Sequence, residues 1–194
     1  MLVAAARPQW GTREEAVYQR SRDLVIALDV SRSMLANDIH PNRLQRAKAD
    51  VLDLIKELKG DRAGLMAFRF KAALLCPLTT DYSFLRYALD AVDIDSAPRG
   101  ETNIGDAILK ALDAFDEREG SHKAIILISD FEDLSGQALE AAKKAGEKGI
   151  PIFTIGLGST RGAKIPDSQP RRPGFLAHQG EEVVLDEGAG VVEV

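Results

Sequence analysis

Short, unbroken runs of apolar residues recur along this chain, and each has the length of a buried β-strand. The run Ala-Ile-Ile-Leu-Ile within residues 122–130 is typical of a central parallel strand that is covered on both faces. Residues 150–157 contain a similar run and predict the next buried strand. The strands predicted in this way cover residues 23–30, 62–68, 72–78, 122–130 and 150–157.

Between these runs, apolar residues recur every three to four positions, which is the periodicity of an amphipathic helix. Gly60 stands where a left-handed C-cap belongs, and Asp81 and Ser135 are suited to N-caps. Phe84 is expected on the inner face of the helix that follows Asp81. The predicted helices, caps included, cover residues 43–59, 81–92, 103–119 and 135–148.

The order of these elements predicts an α/β fold. Only about three residues separate the strands at 62–68 and 72–78, which is too few for a crossover helix, so these strands should pair antiparallel. Pro77 places the second of them at the edge of the sheet. The sequence therefore predicts a doubly wound, mostly parallel sheet with one antiparallel edge strand and helices on both faces.

The ends of the chain differ in character from its centre. Residues 1–22 read as a polar lead-in, and residues 159–194 as an irregular Gly- and Pro-rich extension with short strands near 181–185 and 190–194. A length of 194 residues with 45% hydrophobic composition suits one domain, which we assign to residues 23–158.

Charge and cysteine content narrow the classes of function. A formal net charge of -5 without a long Lys/Arg run argues against nucleic-acid binding. Cys76 is the single cysteine, so an internal disulfide and a cysteine-based zinc cluster are excluded, and its apolar neighbours indicate a buried, inert thiol. No apolar run approaches the ~20 residues that span a bilayer, so we expect the chain as given to be soluble.

The first predicted strand ends in a row of oxygen-bearing side chains. If the chain stays extended, Asp29, Ser31 and Ser33 point to the same side, because side chains alternate with a period of two. They could simply form a Ser/Asp turn. They could also be part of a site for a hard divalent cation such as Mg2+, which prefers oxygen ligands and would need further loops.

Two more segments are expected at the same edge of the sheet. Asp130 ends its strand as Asp29 does, and ligands of open α/β sheets bind beyond the carboxyl ends of the strands. Thr102 lies just before a predicted helix, beside the flexible Gly100. Its residue type favours an N-cap, and a capping hydroxyl is not available to a metal.

These three segments together resemble the von Willebrand factor type A domain and its metal-ion-dependent adhesion site (MIDAS). The matching motifs are Asp29-Val-Ser31-Arg-Ser33, Gly100-Glu-Thr102-Asn and Ser129-Asp130. The resemblance implies a bound Mg2+, or else Mn2+ or Ca2+. Ser31, Ser33 and Thr102 would ligate it through hydroxyls, and Asp29 and Asp130 directly or through waters. It also implies an open coordination position for an Asp or Glu of a protein partner.

Other motifs are similar to the bacterial aerotolerance-type Bat proteins, and they include the lead-in Arg7-Pro-Gln-Trp-Gly11 and Cys76-Pro-Leu-Thr79. This similarity implies that the full-length protein is anchored in the membrane and that residues 1–6 are the end of a transmembrane segment. Of the two sides of the membrane, the periplasmic side is expected for the domain. The implied partners are MoxR-type ATPase systems and other Bat-type proteins. Phe131 stands where many relatives have glycine, and Arg69 where a small residue is common. The family's final helix is not expected within residues 159–194.

The leading hypothesis is a non-catalytic, metal-dependent protein-binding module. The alternative is a metal-dependent hydrolase or phosphotransferase that uses Asp29. A HAD-type phosphotransferase needs a second acidic residue where Ser31 stands. The Gly-x-Ser-x-Gly elbow of a serine hydrolase does not occur, and neither does the Gly-x-Gly-x-x-Gly motif of a dinucleotide site after the first strand. A third hypothesis is a structural domain whose metal site has lost its function. The presence of all five predicted ligand residues argues against it.

Overall fold

The computed structural model describes residues 22–116, 121–131 and 136–159, together with short strand segments at 163–164, 177–178, 181–182 and 184–185. Its main strands are β1 (Arg22–Asp29), β2 (Arg62–Phe68), β3 (Ala72–Thr79), β4 (His122–Ser129) and β5 (Ile152–Gly156). Its helices are α1 (Arg43–Glu57), α2 (Tyr82–Asp90), α3 (Ile104–Ala114) and α4 (Ala138–Glu147), with a short 3-10 turn at Arg32–Leu35.

The five strands form one sheet in the order β3-β2-β1-β4-β5. β1 pairs in parallel with β2 and β4, and β4 pairs in parallel with β5, whereas β3 is antiparallel to β2 at the edge. The predicted fold class is thereby confirmed. The short connection between β2 and β3 is the physical reason for the antiparallel pair.

Alternate residues of β1 face two separate cores. Ile26 and Leu28 pack with apolar side chains of α1 and α2, such as Val51 and Leu85. Val25 and Ala27 lie on the other face and pack with α3 and α4. Because both faces are covered, the central strands are apolar along most of their length.

The strand register determines where the functional side chains lie. Asp29 at the end of β1 is paired with Phe68 at the end of β2. On its other side, Leu28 is paired with Ile128, so Ser129 and Asp130 come level with the end of β1. The carboxyl ends of three neighbouring strands therefore meet at one edge of the sheet.

Residues 150–157 contain the expected strand, but the expectation that it is buried is wrong. β5 has only five residues, and Phe153 and Ile155 are 58% and 37% exposed. The reason is that β5 is an edge strand, and no helix of the described residues covers that face. Phe84, expected on the inner face of α2, is also exposed, at 46%.

Other element boundaries shift by a few residues. α1 ends at Glu57, with Leu58 already extended, and α3 ends at Ala114. Asp81 is the N-cap of α2 as predicted, since its side chain accepts from the N–H groups of Ser83 and Phe84. The predicted cap Ser135, residues 1–21 and residues 190–194 lie outside the described residues.

The extension contains two short antiparallel pairs. β6 (Ala163–Lys164) pairs with β9 (Val184–Leu185), and β7 (Ala177–His178) pairs with β8 (Glu181–Glu182) in a hairpin. The division of the chain into a lead-in, a domain and an extension stays a prediction. Nowhere in the described residues does a helix combine the length and the apolar character that crossing a bilayer requires.

Candidate metal centre

The chain turns sharply where β1 ends and brings three polar side chains together below the surface. Asp29 is fully buried, and Ser31 and Ser33 are nearly so. The N–H of Ser31 donates to Oδ1 of Asp29 at 2.7 Å, and the two serine Oγ atoms lie 2.8 Å apart. Ser33 belongs to the 3-10 turn. The shared orientation therefore comes from this turn and not from a continued strand.

The segment Ser129-Asp130 at the end of β4 contacts the end of β1 through Ser129. Its hydroxyl donates to Oδ2 of Asp29, and its Oγ accepts from the N–H of Phe131 at 3.0 Å. Ser129 was part of the matched motif but was not predicted as a site residue. Its role depends on the register between β1 and β4, which the sequence does not display.

The loop that carries Thr102 is held by a hydrogen bond to the backbone of Arg69. The N–H of Asn103 donates to the carbonyl of Arg69 at 2.8 Å, directly after the end of β2. The side chain of Asn103 accepts from the N–H of Asp106 and is the N-cap of α3. The expected capping role of Thr102 is therefore wrong. Thr102 is nearly buried in the loop just before this cap, so its hydroxyl is not used to begin the helix.

The two carboxylates of the site are held at an electrostatic cost. Burial, together with the charge of Asp130, raises the pKa of Asp29 to about 7, although hydrogen bonds from Ser129 and Ser31 oppose the rise. A cation at this position would remove both the repulsion and part of the desolvation cost.

A buried arginine, which the sequence analysis missed, supports Asp130. Nη1 of Arg43 donates to Oδ2 of Asp130 at 3.0 Å, and its Nε and Nη2 bind both oxygens of Asp38 at 2.9 and 3.0 Å. Burial acts against ionisation of Asp38, but hydrogen bonds from Arg43 and the N–H of Ser159 outweigh it and lower the pKa of that carboxyl. The available signal in the sequence is the segment Pro41-Asn-Arg-Leu44, which contains Arg43 at the start of α1 and is similar to the Bat-type proteins.

The donor set fits a hard cation. Two carboxylates and three hydroxyls supply only oxygen, which Mg2+, Mn2+ and Ca2+ prefer. Within the described ranges, no three His, Cys, Asp or Glu side chains are grouped so that they could hold a metal. A metal at this edge would therefore depend on the hydroxyls of Ser31, Ser33 and Thr102.

Similar sequences include bacterial proteins of about twice this length. An uncharacterized protein of Borreliella burgdorferi is 30% identical over 166 residues, which are 82% of this chain and 48% of that protein. A UPF0353 protein of Mycobacterium sp. strain KMS is 30% identical over 189 residues, which are 89% of this chain and 54% of that protein. The chain thus spans about half the length of the curated relatives it matches.

Two solved structures are similar in both sequence and fold. BatB from Bacteroides thetaiotaomicron is 36% identical with a TM-score of 0.82, over 87% of this chain and 82% of that one. An aerotolerance-related membrane protein from Bacteroides fragilis is 33% identical with a TM-score of 0.81, over 86% and 82%. These similarities confirm the resemblance to Bat-type proteins.

A more distant neighbour is proximal thread matrix protein 1 of the mussel byssus, which has been solved with zinc in its MIDAS motif. It is 23% identical with a TM-score of 0.62, over 72% of this chain and 36% of that one, and this likeness shows the fold alone. Residues 24–132 match the sequence profile of the von Willebrand factor type A domain. The chain belongs to the von Willebrand factor type A domain family.

Proposed function

We propose that this domain is a non-catalytic, metal-dependent protein-interaction module. The observation that carries the proposal is the buried Asp29, whose carboxylate faces the charge of Asp130 beside two hydroxyls 2.8 Å apart. Ser31, Ser33 and Thr102 would ligate Mg2+, or Mn2+ or Ca2+, through their hydroxyl oxygens. Asp29 and Asp130 would neutralise its charge, directly or through waters.

The partner is proposed to supply the remaining ligand. Five side chains, each acting directly or through a water, leave one position of an octahedral shell open, and a carboxylate is the hard oxygen ligand that a second protein can offer. The metal would then bridge an Asp or Glu of that protein to this sheet edge. Binding would require both the metal and the carboxylate, which is how such a module gains specificity.

The arrangement of the polar groups favours binding over catalysis. Asp29 is enclosed by hydrogen bonds from Ser31 and Ser129, and Ser31 stands where a phosphotransferase would need its second acid. The thiol of Cys76 is buried in the core, and burial raises its pKa, which disfavours the nucleophilic thiolate. A metal-dependent hydrolase or phosphotransferase that uses Asp29 is the competing proposal.

In the full-length protein we propose that the domain is anchored to the membrane and acts in a Bat-type stress-tolerance system with a MoxR-type ATPase. The similarity to an aerotolerance-related membrane protein supports this context. Other Bat-type proteins are proposed partners, and the periplasm is the proposed location of the domain.

Thermal unfolding with and without metal tests the proposed site. A metal at about 100 times its Kd stabilises the native state by about 2.7 kcal/mol, which corresponds to a rise in Tm of roughly 5–10 °C for a protein of this size. We expect Asp29→Ala and Thr102→Ala to lose the rise that Mg2+ or Mn2+ causes in the unchanged chain.

The matched control for the threonine is Thr80→Ala, because Thr80 is exposed after the edge strand β3. It should retain the full response. Equal metal-induced shifts in the unchanged chain and in Asp29→Ala and Thr102→Ala would refute the site assignment. Turnover of a phosphate ester that requires Asp29 would favour the enzyme instead.

A further inference from the structure

A group of arginines surrounds the candidate metal centre, in contrast to the negative net charge of the chain. Arg32 lies between Ser31 and Ser33 and is exposed, and Arg69 follows directly after β2. Arg99 precedes the loop that carries Thr102, and its side chain is 70% exposed. We call Arg32, Arg69 and Arg99 the basic rim.

The rim is built into the loops that form the site. Nε of Arg69 donates to the carbonyl of Gly100 at 3.0 Å, so its guanidinium lies against the Thr102 loop. Burial lowers the pKa of Arg69, and the charges of Arg32 and Arg99 lower it further, which means that the three groups are close enough to repel. Clustered like charges are unfavourable unless another group complements them.

Local acidic groups compensate the rim only in part. Arg99 forms an exposed ion pair with Asp95 at 2.9 Å, and Glu101 is exposed in the same loop. Arg32 and Arg69 form no ion pair with any residue in the described part of the chain. A partner that approaches the metal centre would therefore meet two guanidinium groups that no carboxylate of these described residues pairs with.

An aromatic side chain adds an apolar contact to the same surface. Phe70 is 45% exposed and packs on Gly100, where a Cβ would come within 2.6 Å of its Cγ. Nζ of Lys71 lies 6.0 Å from the centre of its ring. Aromatic and arginine side chains are enriched in protein–protein interfaces.

We propose that the basic rim receives acidic residues that flank the carboxylate bound to the metal, so that the partner presents an acidic segment and not an isolated Asp or Glu. This inference rests on the proposed function. Arg32 is the residue through which it is best tested, because its side chain is exposed and Arg69 also holds the Thr102 loop.

Two blocked fluorescent peptides serve as probes for the Mg2+-loaded chain. One is pentaglutamate, and the other has a single central glutamate flanked by serines. We expect pentaglutamate to bind more tightly at an ionic strength of about 0.01 M, and this preference to disappear near 1 M, where the Debye length is about 3 Å. Fluorescence anisotropy measures both affinities.

Arg32→Glu should reduce the affinity for pentaglutamate about tenfold, because an attractive contact between charges becomes a repulsive one. Its affinity for the serine-flanked peptide should fall much less. The matched control is Arg86→Glu, which makes the same charge change at an exposed position of α2 outside the rim. It should retain the preference of the unchanged chain, and the Tm of each variant shows that it is folded.

The peptide measurements distinguish a failure of the basic-rim proposal from a failure of the proposed metal site. Equal affinities for the two peptides, with both lost on addition of EDTA, would overturn the rim proposal and leave the proposed function intact. The same loss in Arg32→Glu and Arg86→Glu would overturn it as well, since it would indicate a general effect of net charge. Binding of both peptides that is unchanged by EDTA would refute the proposed function and, with it, the rim.

Discussion

Replacing Arg43 by methionine tests whether its buried guanidinium holds Asp130 in place. The side chains of Arg43, Asp38 and Asp130 are only 4%, 7% and 2% exposed. Methionine keeps much of the apolar stem but removes the charge and every hydrogen bond that the guanidinium donates. Two buried carboxylates would then lose the guanidinium that pairs with them.

The expected cost follows from this burial. Removing one partner of a buried ion pair typically destabilises a protein by about 3–5 kcal/mol, because the remaining charge is uncompensated. A domain has about 5–15 kcal/mol of stability in total. Asp38 retains the hydrogen bond from the N–H of Ser159 at 2.7 Å, which lessens the loss. We therefore expect Arg43→Met to lower the free energy of unfolding by about 3 kcal/mol.

Urea unfolding at neutral pH with a chelator present measures this loss. The control is Arg46→Met on the same helix, since Arg46 forms an ion pair with Asp50 at 3.0 Å that is largely exposed. Exposed pairs contribute about 0–1 kcal/mol, so the control should be nearly neutral. The double variant Arg43→Met/Asp38→Asn should cost less than the sum of the single variants, by at least about 0.5 kcal/mol.

Similar losses for Arg43→Met and Arg46→Met would refute the reasoning, because burial would then not distinguish the two pairs. Strict additivity in the double variant would refute the coupling between Arg43 and Asp38. A loss close to that expected, together with non-additivity, would identify Arg43 as a positioning residue for Asp130.

Three further predictions concern pH and backbone conformation. The pKa of Asp29 is raised to about 7 from its ordinary value of 3.8, so the metal-free protein should lose stability as the pH rises from about 4 to about 7. Mg2+ should therefore raise the Tm more near pH 8 than near pH 5.5. An increase in Tm on Mg2+ binding that does not depend on pH would contradict this. Phe131 has a φ of 60°, a backbone conformation that glycine adopts without strain and alanine does not. Urea unfolding should therefore show Phe131→Ala to be less stable than Phe131→Gly by about 1 kcal/mol. A more stable Phe131→Ala would exclude backbone strain at this position. Burial acts against ionisation of Asp23, but hydrogen bonds from Arg62 and Ser121 and the charge of Arg62 outweigh it and lower the pKa of that carboxyl. The stability lost in Arg62→Met should therefore be full at neutral pH and shrink as the pH falls below about 4. A deficit in the urea midpoint that does not change with pH would argue against that pair.

Local patterns were sufficient to predict the fold class. The unbroken apolar run of β4 indicated a central parallel strand, and the short connection between β2 and β3 required an antiparallel pair. Both inferences depend on spacing along the chain. The apolar run of β5 was misleading, because the same composition occurs in a strand whose Phe153 remains exposed at the sheet edge.

Residue type alone also misassigned one helix cap. Thr102 and Asn103 are neighbouring residues of kinds that both cap helices well. The structure selects Asn103, because its N–H is tied to the carbonyl of Arg69 and its side chain then reaches the N–H of Asp106. This choice depends on a contact between separate segments, and so it could not be predicted from the local sequence.

The sequence by itself determined the oxygen-rich segments of the candidate metal centre, since their residue types and spacing are visible in the printed chain. Only the tertiary structure decided what surrounds them. The register of β1 and β4 brings Ser129 to Asp29, and the packing of α1 brings Arg43 to Asp130 from 87 positions away. The physical reason is that burial and pairing of charges depend on neighbours in space, whereas a motif records only neighbours along the chain.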